Sequence, residues 1–222
     1  MTKKTNNIII WSVTAVLAVA TGAMIYLMYN TIAQPVKFES ERAEREAAVI
    51  ARLKTIREAE RNFKKHHGHF TASFDTLIDF VLHGEMKSER RIVDEDDSVR
   101  LAQYRAKYGK KWQNVETFTF KVKDSLFKDL DTTQIKEMRY IPYTGNKTEF
   151  ILAAGFHTTE HTKIPIVECC APYKAFLDTA VYRQEIINII DQLKDNKDIN
   201  KQYPGLKFGS MQLGNNEAGN WE

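Results

Sequence analysis

The chain has 222 residues, with 32 basic against 29 acidic side chains and a net charge of +3. Lysines and arginines are interleaved with acids along its length, which argues against a nucleic-acid surface. The 2 cysteines are adjacent, Cys169-Cys170, so no disulfide framework holds the fold and the cysteines do not fix a redox compartment.

The first element is an apolar run. Ile8–Tyr29 is 22 residues without a charge. At ~1.5 Å per residue it spans ~33 Å, enough for a hydrocarbon core of ~30 Å. Trp11 lies near one end, and Tyr26 and Tyr29 lie near the other, as interfacial aromatics do. Lys3, Lys4 and Ala18-Val19-Ala20 offer a signal-peptide reading, with Thr31-Ile32-Ala33 as a later cleavage site. A signal h-region is only ~7–15 residues, however, and this run is longer. The expectation is an uncleaved anchor: a tail over 1–7 and a transmembrane helix over 8–32. Lys37, Arg42, Arg45 and Arg52 follow the span closely, so basic charge does not set the orientation. Long C-terminal domains are often translocated regardless. The expected topology is therefore an inner-membrane, single-pass protein with a cytoplasmic N-terminus and a periplasmic or external domain.

Pro35 interrupts the run. It removes one helical hydrogen bond and crowds the Thr31 carbonyl, so a kink or a second helix over 35–66 is expected. Residues 39–46 (ESERAERE) are polar all round and read as a solvated neck. Val49, Leu53, Ile56 and Phe63 then fall within about 80° on a helical wheel, with Ala59 beside them. Glu60 sits on the same stripe and spoils a coiled-coil seam. Gly68 suits a left-handed helix end. Thr71 or Ser73 can cap a short helix containing Phe74, Leu77, Ile78 and Val81.

Residues 67–222 are expected to form one α+β domain. Within it, 83–115 alternates charge blocks and reads as a mobile insertion with a short helix around Val99–Lys107. The strand signals are 116–122, 136–143, 148–154 and 163–169, with a turn at 144–147 pairing the second and third as a hairpin. Pro165 argues for an edge or strand-start position. The core is expected to be a three- or four-stranded antiparallel sheet. A helix over 180–193 follows, and a Gly/Asn-rich tail over 203–222 ends in Trp221, an anchor for the domain surface or for a partner.

Several strings resemble chemistry. His157, Glu160 and His161 match the H-x-x-E-H pattern of certain zinc peptidases, which requires both histidines on one helix face. Here they follow a strand and precede Pro165, so they read as a polar loop with a metal-binding alternative. His66 and His67 point about 100° apart on a helix. The acidic run 94–97 lacks the ligand spacing and glycine of an EF-hand. Adjacent cysteines have Cα atoms ~3.8 Å apart, closer than ordinary disulfide geometry; they read as small buried side chains, with redox, metal and intermolecular roles as alternatives. No phosphate-binding loop or nucleophile elbow is present, so no catalytic residue and no cofactor is expected.

The layout resembles type IV pilins and type II secretion pseudopilins: an N-terminal apolar helix running into an amphipathic helix, a Gly-aromatic segment, then an antiparallel sheet. The match is closest over 54–80, at Gly68, Phe70 and Leu77. The resemblance implies a pilin-like fold and a non-enzymatic structural or assembly role in a secretion- or pilus-type machine. Prepilins carry a Gly before the apolar run and a Glu within it. Here Asn6-Asn7 precede Ile8 and the run has no acid, which implies a permanent tether instead of a processed filament subunit. Ala15, Ala18, Gly22, Val36 and Phe38 are the candidate helix-packing positions, since small residues allow close approach in lipid. The expected partners are membrane lipid and other envelope proteins, or a second copy. The alternative is a membrane-tethered sensory domain that binds a ligand or metal through 155–161.

Overall fold

One helix organises the chain. The computed structural model describes residues 3–94, 96–109, 112–158, 162–212, 214 and 216–222. Helix α1 (Lys3–His67) runs for 65 residues without a break, which makes it roughly 100 Å long. The chain stays helical through Pro35, so of the two outcomes expected there the segment 35–66 is the continuation of the first helix, with no second start. Pro35 leaves the Thr31 carbonyl without its helical donor; the Thr31 hydroxyl bonds one turn further back, donating to the Leu27 carbonyl at 2.8 Å.

The distal half of α1 is the spine of the core. Val49, Leu53, Ile56, Ala59 and Phe63 are all buried, as their spacing predicts. The expected neck over 39–46 is not free. Phe38 is buried against Tyr182, with ring centroids 5.1 Å apart. Arg45 donates to the Phe176 carbonyl at 2.6 Å, and Arg42 lies over the Tyr173 ring at 5.7 Å. Polar residues here are recruited by carbonyls and ring faces of the domain, which helical periodicity alone does not reveal. The domain begins three residues after Pro35.

At its far end α1 stops at Gly68, whose φ of +81° is the left-handed conformation expected there. Ser73 caps α2 (Phe74–His83), its hydroxyl accepting from Thr76 N at 3.4 Å. Phe74, Leu77, Phe80 and Val81 turn into the core.

Next comes an arm. β1 (Glu85–Arg90) pairs antiparallel with β2 (Glu116–Lys121), and α3 (Ser98–Tyr108) projects between them. The segment 83–115 therefore contains a strand that reading it as an insertion missed. Its one buried side chain, Met86, leaves no alternation to detect. Val122 opens α4 (Val122–Leu126) instead of extending the strand, and its N–H closes the ribbon base on the Gly84 carbonyl at 3.0 Å.

The strand expected over 136–143 is helical in its first half. α5 (Thr132–Lys136) starts at Asp131 with a reciprocal capping box to Gln134, and a tighter turn follows over Glu137–Arg139. Ile135 and Met138, three apart, are buried. Helical spacing outcompeted the alternation of Met138, Tyr140 and Pro142 because it places both apolar side chains in the core. Only the bridge Tyr140↔Glu149 remains of the expected hairpin.

The main sheet has the order β3-β4-β5, formed by β3 (Ile151–Thr158), β4 (Lys163–Pro172) and β5 (Gly205–Gly209). β4 is central, yet β5 covers only Glu168–Pro172. Pro165 lies beyond that cover, and its register turns its nitrogen away from β3, so it removes no ladder bond. α6 (Tyr173–Phe176) and α7 (Arg183–Lys194) follow β4. On α7 only Ile186 is buried, with Ile189, Ile190 and Leu193 packed at the core margin.

The Gly/Asn-rich segment 203–222 contains β5, a strand without a sequence signal. The rest of the tail runs back along the outer edge of β5: Gly209 N donates to the Ala218 carbonyl and Asn220 N to the Lys207 carbonyl, both at 3.0 Å. Trp221 packs against the core, beneath the Arg57 guanidinium at 5.9 Å. Gly209 has φ +74°, and a Cβ there would meet the Val167 carbonyl oxygen at 1.9 Å. Gly209→Ala should therefore destabilise the domain by about 3 kcal/mol, from left-handed strain and backbone overlap. Leu53→Ala, a cavity in the spine, should cost a similar ~3 kcal/mol. Urea denaturation of the two variants checks both values.

Candidate functional site

The anchor half of α1 presents Ala15, Ala18 and Gly22 on its surface, all exposed. Among the described residues one helix is long and apolar enough to cross a membrane, and none of its apolar window is buried in the fold. Val36 is 66% exposed, and with Tyr29, Ile32 and Ala33 it lines an open apolar hollow on the helix. Phe38 does not belong with these residues. It is 5% exposed and is consumed by the contact with Tyr182, so the interaction set reduces to Ala15, Ala18, Gly22 and Val36.

The second feature is a buried carboxyl. Glu60 occupies the apolar stripe of α1 with no exposed surface. Its Oε2 accepts from Thr71 N at 3.1 Å, tying the Phe70–Thr71 turn to the helix. Its Oε1 has no hydrogen-bond partner among the described residues. Burial pushes this carboxyl up to about 8, against the opposing pull of the Thr71 N–H. The stripe position was legible in the sequence, but its burial depends on the sheet lying over it.

Cys169 and Cys170 are both free and buried. As consecutive strand residues they face opposite sides of the sheet, so they cannot form a disulfide in this fold. The Cys169 thiol is raised well above its usual range, first by burial. Burial, followed by the charge of Glu168, raises Cys170 to about 12. A reactive cysteine needs a lowered pKa, so the small-side-chain reading fits both. Beside Cys170, Glu168 accepts from Lys207 Nζ and from Met211 N, each at 3.3 Å. These bonds tie the start of the tail to the sheet.

The histidine readings fare differently. His157 lies in β3, not in a loop or helix. Glu160 and His161 lie outside the described residues. Among the described residues no group of three His, Cys, Asp or Glu side chains converges as metal ligands. His67 stacks on Phe63 with centroids 4.1 Å apart, and Phe80 lies 5.6 Å from His67. The histidines at the end of α1 thus form an aromatic cluster at the domain tip.

The arm holds an aromatic platform that sequence reading did not identify. Gly109, at φ +83°, turns the chain so that Trp112 falls back on Tyr104 (5.3 Å) and Tyr108 (6.5 Å). Spacing of four between the tyrosines and a glycine before the tryptophan were the available signals. No residue of α3 is buried.

No family model, characterised protein or solved structure matches the chain.

Two outcomes follow from the buried groups. Between pH 4.5 and about 8 the folded protein keeps a Glu60 proton that the unfolded chain releases. The stability gained from that proton is complete below the unfolded pKa and falls by at most ~1.4 kcal/mol per pH unit as pH rises to the folded pKa. Glu60→Gln should flatten this slope in urea titrations at pH 5 and pH 8, and parallel wild-type and variant profiles would remove the assignment. The native thiols should resist Ellman's reagent until the protein is unfolded.

Proposed function

We propose that this protein is a non-enzymatic, single-pass envelope component that displays a pilin-like domain for assembly with other proteins. The supporting observation is the continuity of α1. The same helix that carries the apolar span supplies the core stripe from Val49 to Phe63, and Phe38, Arg42 and Arg45 clasp the domain directly after Pro35. A helix–sheet domain fused rigidly to its anchor suits a part that holds position. An element meant to swing would need a flexible linker.

The long helix packed on a small antiparallel sheet supports the pilin-type reading, as does the Gly68–Phe70 segment. The apolar run lacks the acid and preceding glycine of prepilins, which supports a fixed tether in a secretion- or pilus-type assembly. In this reading the short N-terminal tail is cytoplasmic, the span lies in the inner membrane and the domain faces outward. Val36 and the Ala15–Ala18–Gly22 face contact neighbouring helices or lipid. The exposed platform of Tyr104, Tyr108 and Trp112 adds a second contact region, since aromatic residues dominate the centres of protein interfaces.

The test is extraction of the full chain from its own membranes in mild detergent. We expect stoichiometric protein partners, and Gly22→Leu, which bulks the small face, should reduce their recovery about tenfold or more. A monomer free of partners would sink the assembly reading. Labelling of Val181→Cys by an impermeant maleimide from the outer side of the membrane tests the topology, because Val181 is exposed on the domain.

A further inference from the structure

The two edges of the main sheet are treated differently. The β5 edge is sealed by the tail through Ala218 and Asn220. The β3 edge is covered only at its start, where Phe150 N donates to the Arg139 carbonyl at 2.8 Å and Ile141 N to the Thr148 carbonyl at 2.9 Å. Beyond that point the preceding chain leaves the edge, because residues 132–139 are helical. Backbone groups alternate sides along an antiparallel strand. Phe150 faces outward, so Leu152, Ala154 and Phe156 turn their N–H and C=O groups the same way. Among the described residues no strand pairs with them.

Edges left open in this way normally carry protection: a charge, a proline or a bulge. β3 reads ILAAGFHT, with no charged residue and no proline, and its eight-residue ladder with β4 is unbroken from Ile151 to Thr158. Ile151 and Phe156 are 57% and 58% exposed. They stand on opposite faces of the sheet, and a Cβ on Gly155 between them would meet Met211 Cε at 3.0 Å.

We propose that this edge is a docking site for an extended, uncharged segment of a different polypeptide, added as a fourth antiparallel strand beside Leu152–Phe156. The proposal rests on the reading of the protein as an anchored assembly component. Open backbone donors and acceptors supply the hydrogen bonds, as in strand addition generally. A charged strand would gain no counter-charge from Ile151–Thr158.

A second copy of this chain fails on geometry. Joining two β3 edges antiparallel in one continuous sheet requires a two-fold axis perpendicular to the sheet. α1 packs flat on that sheet, its stripe in one core with Val167, Cys169, Leu206 and Phe208. The axis would therefore reverse α1 and send the two anchors in opposite directions, which two copies in one membrane cannot adopt.

The experiment is thiol accessibility in the full chain. Wild type is the blank, since its own cysteines are buried. Ile151→Cys and Phe156→Cys report on the edge, and Val181→Cys, at a site of similar exposure (55%), is the control. With an impermeant maleimide, both edge variants should react at least about tenfold more slowly in native membranes than in folded protein stripped of co-extracted partners, the ratio expected for ~90% occupancy. Val181→Cys should react equally in both. Adding Ala154→Pro, which removes an outward N–H but no ladder bond, should restore labelling of Phe156→Cys. If that variant unfolds, Phe156→Lys with Ile151→Cys serves instead. Equal labelling in membranes and in the partner-free protein overturns the proposal, as does protection that survives the edge-blocking substitution. A disulfide between Phe156→Cys residues of two copies would assign the edge to self-pairing and also overturn it. If partners co-purify while the edge stays reactive, the edge proposal falls alone. If the edge is protected but no partner survives detergent, the assembly reading loses its own test without removing this one.

Discussion

The fold depends on one helix having a buried stripe on half of its length and an apolar surface on the other half. From Val49 to Phe63 the side chains of α1 are the floor on which α2, the sheet and the tail are laid. Each of these elements is too short to stand alone. A three-stranded sheet needs a packed face for independent stability, and α1 provides it. The tail then ties the outer layer down: Glu217 meets Arg61 and Lys64 at 3.3 and 3.4 Å, and Glu222 meets Arg57 at 2.8 Å. In each pair one side chain is largely buried and the other reaches solvent, and pairs open to solvent contribute little singly. Their role is positional, because they hold Trp221 against the core.

Glu60 is the exception within the stripe. A carboxyl with one satisfied oxygen and one orphan oxygen is a costly occupant of an apolar face. Its single bond fixes the turn at Thr71, from which α2 and hence the arm depart. The arm leaves from Gly84, just beyond Phe80, whose ring lies 5.3 Å from Phe63 near the far end of α1. The aromatic platform is thereby carried at the end of the molecule away from the span.

The helical parts of this architecture were legible because their signals are local. The stripe of α1, the Gly68 turn, the Ser73 cap and α3 follow from spacing and capping chemistry. The errors have a common cause, which is that tertiary partners decided the outcome. Residues 39–46 look solvated until Phe176 and Tyr173 are brought beside them. Residues 136–143 alternate like a strand, yet Ile135 and Met138 find the core only as a helix, and the Asp131–Gln134 capping box was the overlooked cue. β5 hides in a glycine-rich tail because those glycines permit close backbone approach. Of the candidate surfaces, the small-residue face of the span was readable from composition. The open edge of β3 was not, since it exists only because the preceding segment declined to be a strand.

The unbroken passage of α1 through Pro35 has a rotational consequence. A helix advances about 100° and 1.5 Å with every residue. With no slack between the apolar half of α1 and the domain, the number of residues between its exposed apolar positions and Phe38 sets a phase angle. The bearing of the β3 edge and of the arm around the axis of α1 is thus fixed by a residue count, as the hand of a clock is fixed to its arbor. Neighbours gripping the span would hold the domain not only at a height but at a heading.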